Sequence, residues 1–119
     1  MAFSVAAVEG LFKVLGDENR LRILLVLSSG ECSVSQILES AKLPQTLTSF
    51  HLRVLREAGV LMTERRGPFI YYRLADPTLP NLLEACGKYA ETLTEGKRGG
   101  DFQWPPWGTM CRMVSRRRR

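Results

Sequence analysis

Between Leu43 and Leu74 the apolar residues change their period once, and that change leaves few folds open to the chain. After a turn at Leu43 and Pro44, Thr48, Leu52, Leu55 and Gly59 fall on one face of a helix, flanked by Val54 and Ala58. Val60 to Arg65 and Phe69 to Leu74 are β-rich runs around Arg66-Gly67-Pro68, in which Ile70, Tyr72 and Leu74 alternate against Tyr71 and Arg73. A 3.6-residue period marks a half-buried helix and a two-residue period a half-buried strand. Glycine and proline supply the turn, so a helix is followed directly by a hairpin.

The remainder reads as helices. Val5, Val8, Leu11, Phe12 and Leu15 recur at helical spacing, and Gly16 ends the pattern. Asp17 is placed to cap a second helix, whose Leu21 to Leu27 run is apolar on nearly every side, as suits the centre of a small bundle. Ser33 followed by Gln36 fits a capping box for a short third helix that carries Val34, Ile37 and Leu38 inward and ends near Ala41. Leu79, Leu82, Leu83, Cys86, Ala90 and Leu93 form an apolar stripe on a last helix. The expected class is mainly α (α+β), with about five helices and a two-stranded β-hairpin. A chain of 119 residues, 45% hydrophobic, is sized for one core. Residues 1–95 are expected to form that domain. Residues 96–119 form an extension containing Trp104, Trp107, two prolines between them and an arginine-rich end.

The formal charge of +5 is unevenly placed. Arg112 and Arg116 to Arg119 carry it, and residues 1–111 balance at twelve basic against twelve acidic side chains. Within the balanced part, Lys42, Arg53, Arg56, Arg65, Arg66 and Arg73 face only Glu57 and Glu64, a basic centre between acidic flanks. Such a centre suits an anionic partner. Three cysteines without a CxxC pair argue against a disulfide framework or a zinc knuckle. No apolar run is long enough to cross a bilayer and no signal segment opens the chain, so a reduced, cytoplasmic protein is expected.

The helix before the hairpin leaves Gln45, Thr46, Ser49, Phe50 and Arg53 on the side opposite its apolar face. Glutamine can pair bidentately with adenine, arginine with guanine or phosphate, and threonine or phenylalanine can touch a thymine methyl. Two short helices joined by a tight turn, the second with such a face, make a helix-turn-helix, and a hairpin tip bearing Arg65 and Arg66 makes a wing that approaches the phosphate backbone.

The stretches LGDENRLRILLVLSSGECSVSQIL, LPQTLTSFHLRVLREAGVL and RRGPFIYYRL together resemble the ArsR/SmtB family of bacterial winged helix-turn-helix repressors, over about residues 8–93. The resemblance implies a homodimer, through the first and last helices, on double-stranded DNA carrying an imperfect palindrome, released when an inducer binds. Position by position it places Gln45, Thr46, Ser49, Phe50, His51 and Arg53 in the recognition helix and Gly67 at the wing turn. Pro44 stands where the family often has a capping serine, and Phe50 where a polar residue is common. His51 matches a common family residue and, as the only histidine, is expected to pack or meet phosphate rather than bind metal.

The sensor departs from the family. Its third-helix metal site uses cysteines at the positions of Ser33 and Ser35, and a hydroxyl is a poor ligand for thiophilic ions. Cys32 is one place earlier. Of the family's last-helix zinc site only Asp76 matches, with Thr78, Tyr89 and Thr92 at the other positions. Burial in the core or an interface is the plain role for Cys32 and Cys86. Against it, Cys32, Cys86 and Cys111 supply the three thiolates that a trigonal As(III) or Sb(III) site takes. The leading expectation is therefore a repressor that needs no cofactor and is released by a thiophilic metalloid. A thiol-redox or reactive-sulfur switch is the alternative, as are an organic inducer, no inducer at all, or a winged-helix protein-interaction module without metal. The lone histidine lacks an evident catalytic partner and no phosphate-cradling loop is present, so an enzyme is not expected.

Overall fold

The computed structural model describes residues 2–95. The chain divides after Leu82 into two units, and of the second only residues 83–95 are described. Cys111 and the 96–119 extension lie outside the described residues. The elements run α1 (Val5–Leu15), α2 (Glu18–Leu27), β1 (Cys32–Ser33), α3 (Val34–Ala41), α4 (Gln45–Glu57), β2 (Leu61–Arg66), β3 (Phe69–Leu74) and α5 (Leu79–Glu95). Five helices and the hairpin match the expected class. Five helices with such a hairpin form a winged helix-turn-helix.

The sheet has three strands rather than two. Its order is β1-β3-β2, antiparallel throughout, with Cys32 opposite Tyr72 and Ser33 opposite Tyr71. Two residues carry too little alternation to read as a strand, so β1 becomes visible only when β3 pairs with it. Between β2 and β3, Arg66 is opposite Phe69 and only Gly67 and Pro68 make the turn. Gly67 has φ +62°. Positive φ at the first loop position followed by proline is the sign pattern of a II′ turn, whose twist matches that of the flanking strands.

Helix ends follow the side chains that satisfy them. Ser4 caps α1 by accepting from the Ala7 N–H. Asp17 Oδ1 accepts from the Asn19 and Arg20 N–H groups at 2.9 and 3.2 Å and starts α2. The capping box of α3 is complete: Gln36 N–H donates to Ser33 Oγ at 3.3 Å and Ser33 N–H donates to Gln36 Oε1 at 2.8 Å. Pro44 precedes α4 with no side-chain cap. A prolyl residue before the first turn fixes φ without forfeiting a useful N–H. At the far end of α4, Gly59 N–H donates to Arg56 O and Val60 N–H to Leu55 O, both at 3.0 Å, with Gly59 at φ +82°. That paired pattern is a Schellman cap, and it turns the chain from the helix into β2.

The core is drawn from α2, α3, α4 and the first residue of β2. Ile23, Leu24, Leu27, Ile37, Leu52, Leu55 and Leu61 are buried, with Leu15 and Ala41 closing the edges. Leu25 is the exception in the α2 run, at 59% exposure, so that helix keeps one open side. α1 buries only Leu15, leaving Val5 and Phe12 exposed. The apolar stripe of α5 is likewise open, with Leu82, Cys86 and Leu93 exposed. No helix among the described residues is long and apolar enough to cross a membrane.

Candidate nucleic-acid interface

α3 and α4 are joined by Lys42-Leu43-Pro44, and Lys42 takes φ 56°, the left-handed region. This ends α3 sharply and sends α4 off in a new direction, which is the geometry a helix-turn-helix needs. α4 is held by its inner face, where Thr48, His51, Leu52 and Leu55 are all buried. Its outer face carries Gln45, Thr46, Ser49, Phe50 and Arg53, every one exposed. Expectation and structure agree on which residues share that surface. The Arg53 guanidinium is 5.9 Å from the centre of the Phe50 ring, so Phe50 also serves as a platform that steadies the arginine.

His51 does not share the surface. It is 4% exposed, with Nε2 3.8 Å from Asp17 Oδ1, and its ring meets Phe50 edge-on at 5.3 Å. The expected grouping of His51 with the DNA-facing residues is corrected in favour of the packing role weighed beside it. At i+3 from Thr48 and i+4 from Leu47, its position sets it on the inner stripe of the helix. Asp17 thus caps α2 and approaches a side chain of α4, tying the reading helix to the helix it packs against.

The wing tip presents its two arginines differently. Arg65 Nε donates to Gly67 O at 3.3 Å, and the side chain is exposed. Arg66 is held by two carboxylates, Glu31 at 2.7 Å and Glu64 at 2.9 Å, while its guanidinium sits 4.7 Å above the Tyr71 ring. The hydrogen bonds that Arg66 donates to Glu64 and Glu31 push its pKa upward, and the Arg66 hydrogen bond and charge hold the Glu64 carboxyl below its ordinary value. Sequence reading paired the two arginines because it had no way to see Glu31, distant in the chain. A groove of roughly 280 Å³ runs between the wing and the helices, lined by Ser33, Ser35, Leu38, Gln45, Phe69 and Ile70 among others.

The candidate sensor thiols are separate matters. Cys32 is half-buried at the edge of the sheet, its Sγ donating to Gly30 O at 3.7 Å. Burial, and after it the charge of Glu31, pushes its pKa upward, so the neutral thiol is favoured. Cys86 is exposed on α5, so of the two plain roles expected for it, core or interface, it is the core that the structure does not give it. Among the described residues no group of three or more His, Cys, Asp or Glu side chains is arranged to hold a metal ion. Asp76 is engaged elsewhere, accepting from the Thr78 N–H and hydroxyl at 2.8 and 2.7 Å.

Comparison with known proteins agrees with this geometry. The family described as "Bacterial regulatory protein, arsR family" matches residues 17–62. The arsenic resistance transcriptional regulator ArsR1 of Pseudomonas putida is 42% identical over 79 residues, which span 66% of this chain but only 61% of that protein. The cadmium resistance transcriptional regulatory protein CadC of Listeria innocua is 33% identical over 93 residues, 75% of this chain and 76% of that one. The crystal structure of Rv0081 from M. tuberculosis superposes with a TM-score of 0.70 at 30% identity, covering 81% of this chain and 98% of that one. A homodimeric winged helix-turn-helix DNA-binding domain from Mycobacterium bovis gives a TM-score of 0.63 at 28% identity, covering 76% and 91%.

Proposed function

The chain belongs to the arsR family of bacterial regulatory proteins, and we propose that it is a repressor that holds operator DNA as a homodimer and lets go when a thiophilic metalloid binds. It is a transcriptional regulator rather than an enzyme. The observation that carries the DNA reading is the outer face of α4: five exposed side chains suited to base edges and phosphate, on a helix whose inner face is locked into the core. Gln45, Thr46, Ser49 and Phe50 are the proposed base-facing group, and Arg53 and Arg65 the proposed phosphate or guanine contacts. An imperfect palindrome follows from two copies of one reading helix, because a two-fold protein meets two related half-sites.

Dimerisation is proposed through α1 and α5. Phe3, Val5 and Phe12 at one end, and Tyr89 and Leu93 at the other, are exposed apolar side chains that the single chain leaves uncovered. Large apolar groups concentrated on two helices are the expected signature of an obligate interface. The homodimeric Mycobacterium bovis domain has the same fold.

As(III) or Sb(III) is proposed as inducer on the likeness to the arsenic resistance regulator, with Cys32, Cys86 and Cys111 as the thiolates. The test is fluorescence anisotropy of the reduced protein on DNA from upstream of its own coding sequence, with As(III), Sb(III), Zn(II), Cd(II) and an oxidant added in turn. Release by As(III) that is abolished in Cys→Ser variants is the expected result. Release that never depends on a cysteine sinks the metalloid reading, and release by the oxidant alone selects the thiol-redox switch. Failure to bind upstream DNA at moderate salt, or equal binding when Arg53 and Arg65 are replaced by Ala, points to a protein-interaction module.

A further inference from the structure

Paired residues of an antiparallel sheet share a face, and successive residues along a strand alternate between faces. Glu64 and Ser33 are both opposite Tyr71, and Arg66 is opposite Phe69. Glu64, Arg66 and Tyr71 are therefore on one face of the wing sheet. Arg65, opposite Ile70, is on the other. That other face also carries Leu61, which is buried, so it is the side turned toward the helices, and the Arg66 face is the outer side.

On the outer side Arg66 spans the sheet. From the end of β2 it crosses the Tyr71 ring on β3 at 4.7 Å and ends on Glu31, the residue before β1, at 2.7 Å, while Glu64 takes its other amino group at 2.9 Å. The guanidinium is fixed on three sides by groups from every strand or its flank. Resting on the DNA-binding reading above, we infer that Arg66 is the staple of the wing rather than a phosphate contact. Glu31 is then the positioning residue that acts through it, and Arg65 is the wing arginine that meets the DNA backbone.

Charge decides between the two roles. To reach a phosphate, Arg66 exchanges two carboxylate partners for one anion and leaves Glu31 and Glu64 bare beside a polyanion. Bound as it is, the group of three carries one net negative charge, which is unfavourable to turn toward DNA. Arg65 has no such conflict: among the described residues it has no carboxylate partner, and it lies on the face shared with the helices. The staple also addresses a weakness of the fold. β1 pairs through only two residues, Cys32 and Ser33, and a strand so short needs a side-chain tie to keep the wing at a fixed angle to the reading helix.

The full chain and its Arg65→Ala, Arg66→Ala, Glu31→Gln and charge-swapped Glu31→Arg/Arg66→Glu variants test this. Two readings are taken: amide hydrogen exchange of the free protein, and salt-dependent binding to the upstream duplex. Arg66→Ala and Glu31→Gln are expected to speed exchange at Cys32, Ser33, Tyr71 and Tyr72, by roughly threefold or more for a locally opened sheet edge. Both are expected to weaken DNA binding without changing the slope of log affinity against log salt. Arg65→Ala is expected to flatten that slope by about 0.9 for each phosphate that the side chain no longer neutralises. The charge swap is expected to restore exchange protection and affinity toward the wild type. A slope flattened by Arg66→Ala, or exchange unaltered by Glu31→Gln, overturns the proposal. The exchange reading needs no DNA, so a wild-type protein that ignores the duplex defeats the function proposed above and leaves the staple to be judged by itself.

Discussion

Single residues here take their chemistry from neighbours that the sequence places far away. Glu31 adjoins Cys32 in the chain, yet its carboxylate is spent on Arg66, thirty-five positions on. The same acid raises the Cys32 pKa, after the larger effect of burial. A raised pKa keeps the thiol protonated to higher pH, and the thiolate is the form that attacks an electrophile or binds metal. Alkylation of Cys32 by iodoacetamide should therefore rise with pH along a curve displaced above that of a free thiol, and Glu31→Gln should move the curve back toward lower pH. Mass-spectrometric labelling across a pH series reads both, and a Cys32 curve coincident with a free thiol's counts against this account. His51 is the converse case: its spacing from Leu47 and Thr48 already put it on the inner stripe of α4, and the chain-distant Asp17 supplies the neighbour its ring meets there.

At the level of elements, ends matter more than middles. α3 and α4 are short, and their directions are set by Lys42 and Gly59, each in the left-handed region. Gly59 is the sharper case, because a Cβ there meets nothing within 4 Å, so the only obstacle to a larger residue is the backbone conformation itself. Gly59→Ala should destabilise the fold by about 1–2 kcal/mol, the penalty for an L-residue at positive φ. Urea unfolding followed by circular dichroism measures it, and a variant of wild-type stability contradicts the Schellman cap as the reason for the turn. The capping box of α3 and the Asp17 cap were legible in sequence because they depend on residues two or three apart. β1 was not, because a two-residue strand exists only through its partner.

For the whole molecule, the decisive feature is what one chain leaves uncovered. α1 contributes a single buried residue, and Val5 is 78% exposed. Introducing charge there, as Val5→Glu with Phe12→Glu, should leave the core of α2, α3 and α4 intact while shifting the protein from dimer to monomer. DNA affinity should fall by roughly tenfold or more, since a monomer engages a two-fold site with one reading helix instead of two. Sedimentation velocity and anisotropy on the same samples check the two halves of this expectation. A double variant that stays dimeric places the interface elsewhere.

By itself the sequence determined the helices, the hairpin, the inner and outer faces of α4 and the family, because each depends on periodicity or on side chains within a turn of one another. It also set the candidate thiols and the departures at Ser33 and Ser35. Packing between distant parts of the chain settled that β1 completes the sheet, that His51 meets Asp17, that the α1 stripe stays open, and that Arg66 is clasped while Arg65 has no carboxylate partner among the described residues. The physical reason is common to all four: each turns on whether parts of the chain far apart in sequence meet, and no local pattern records that.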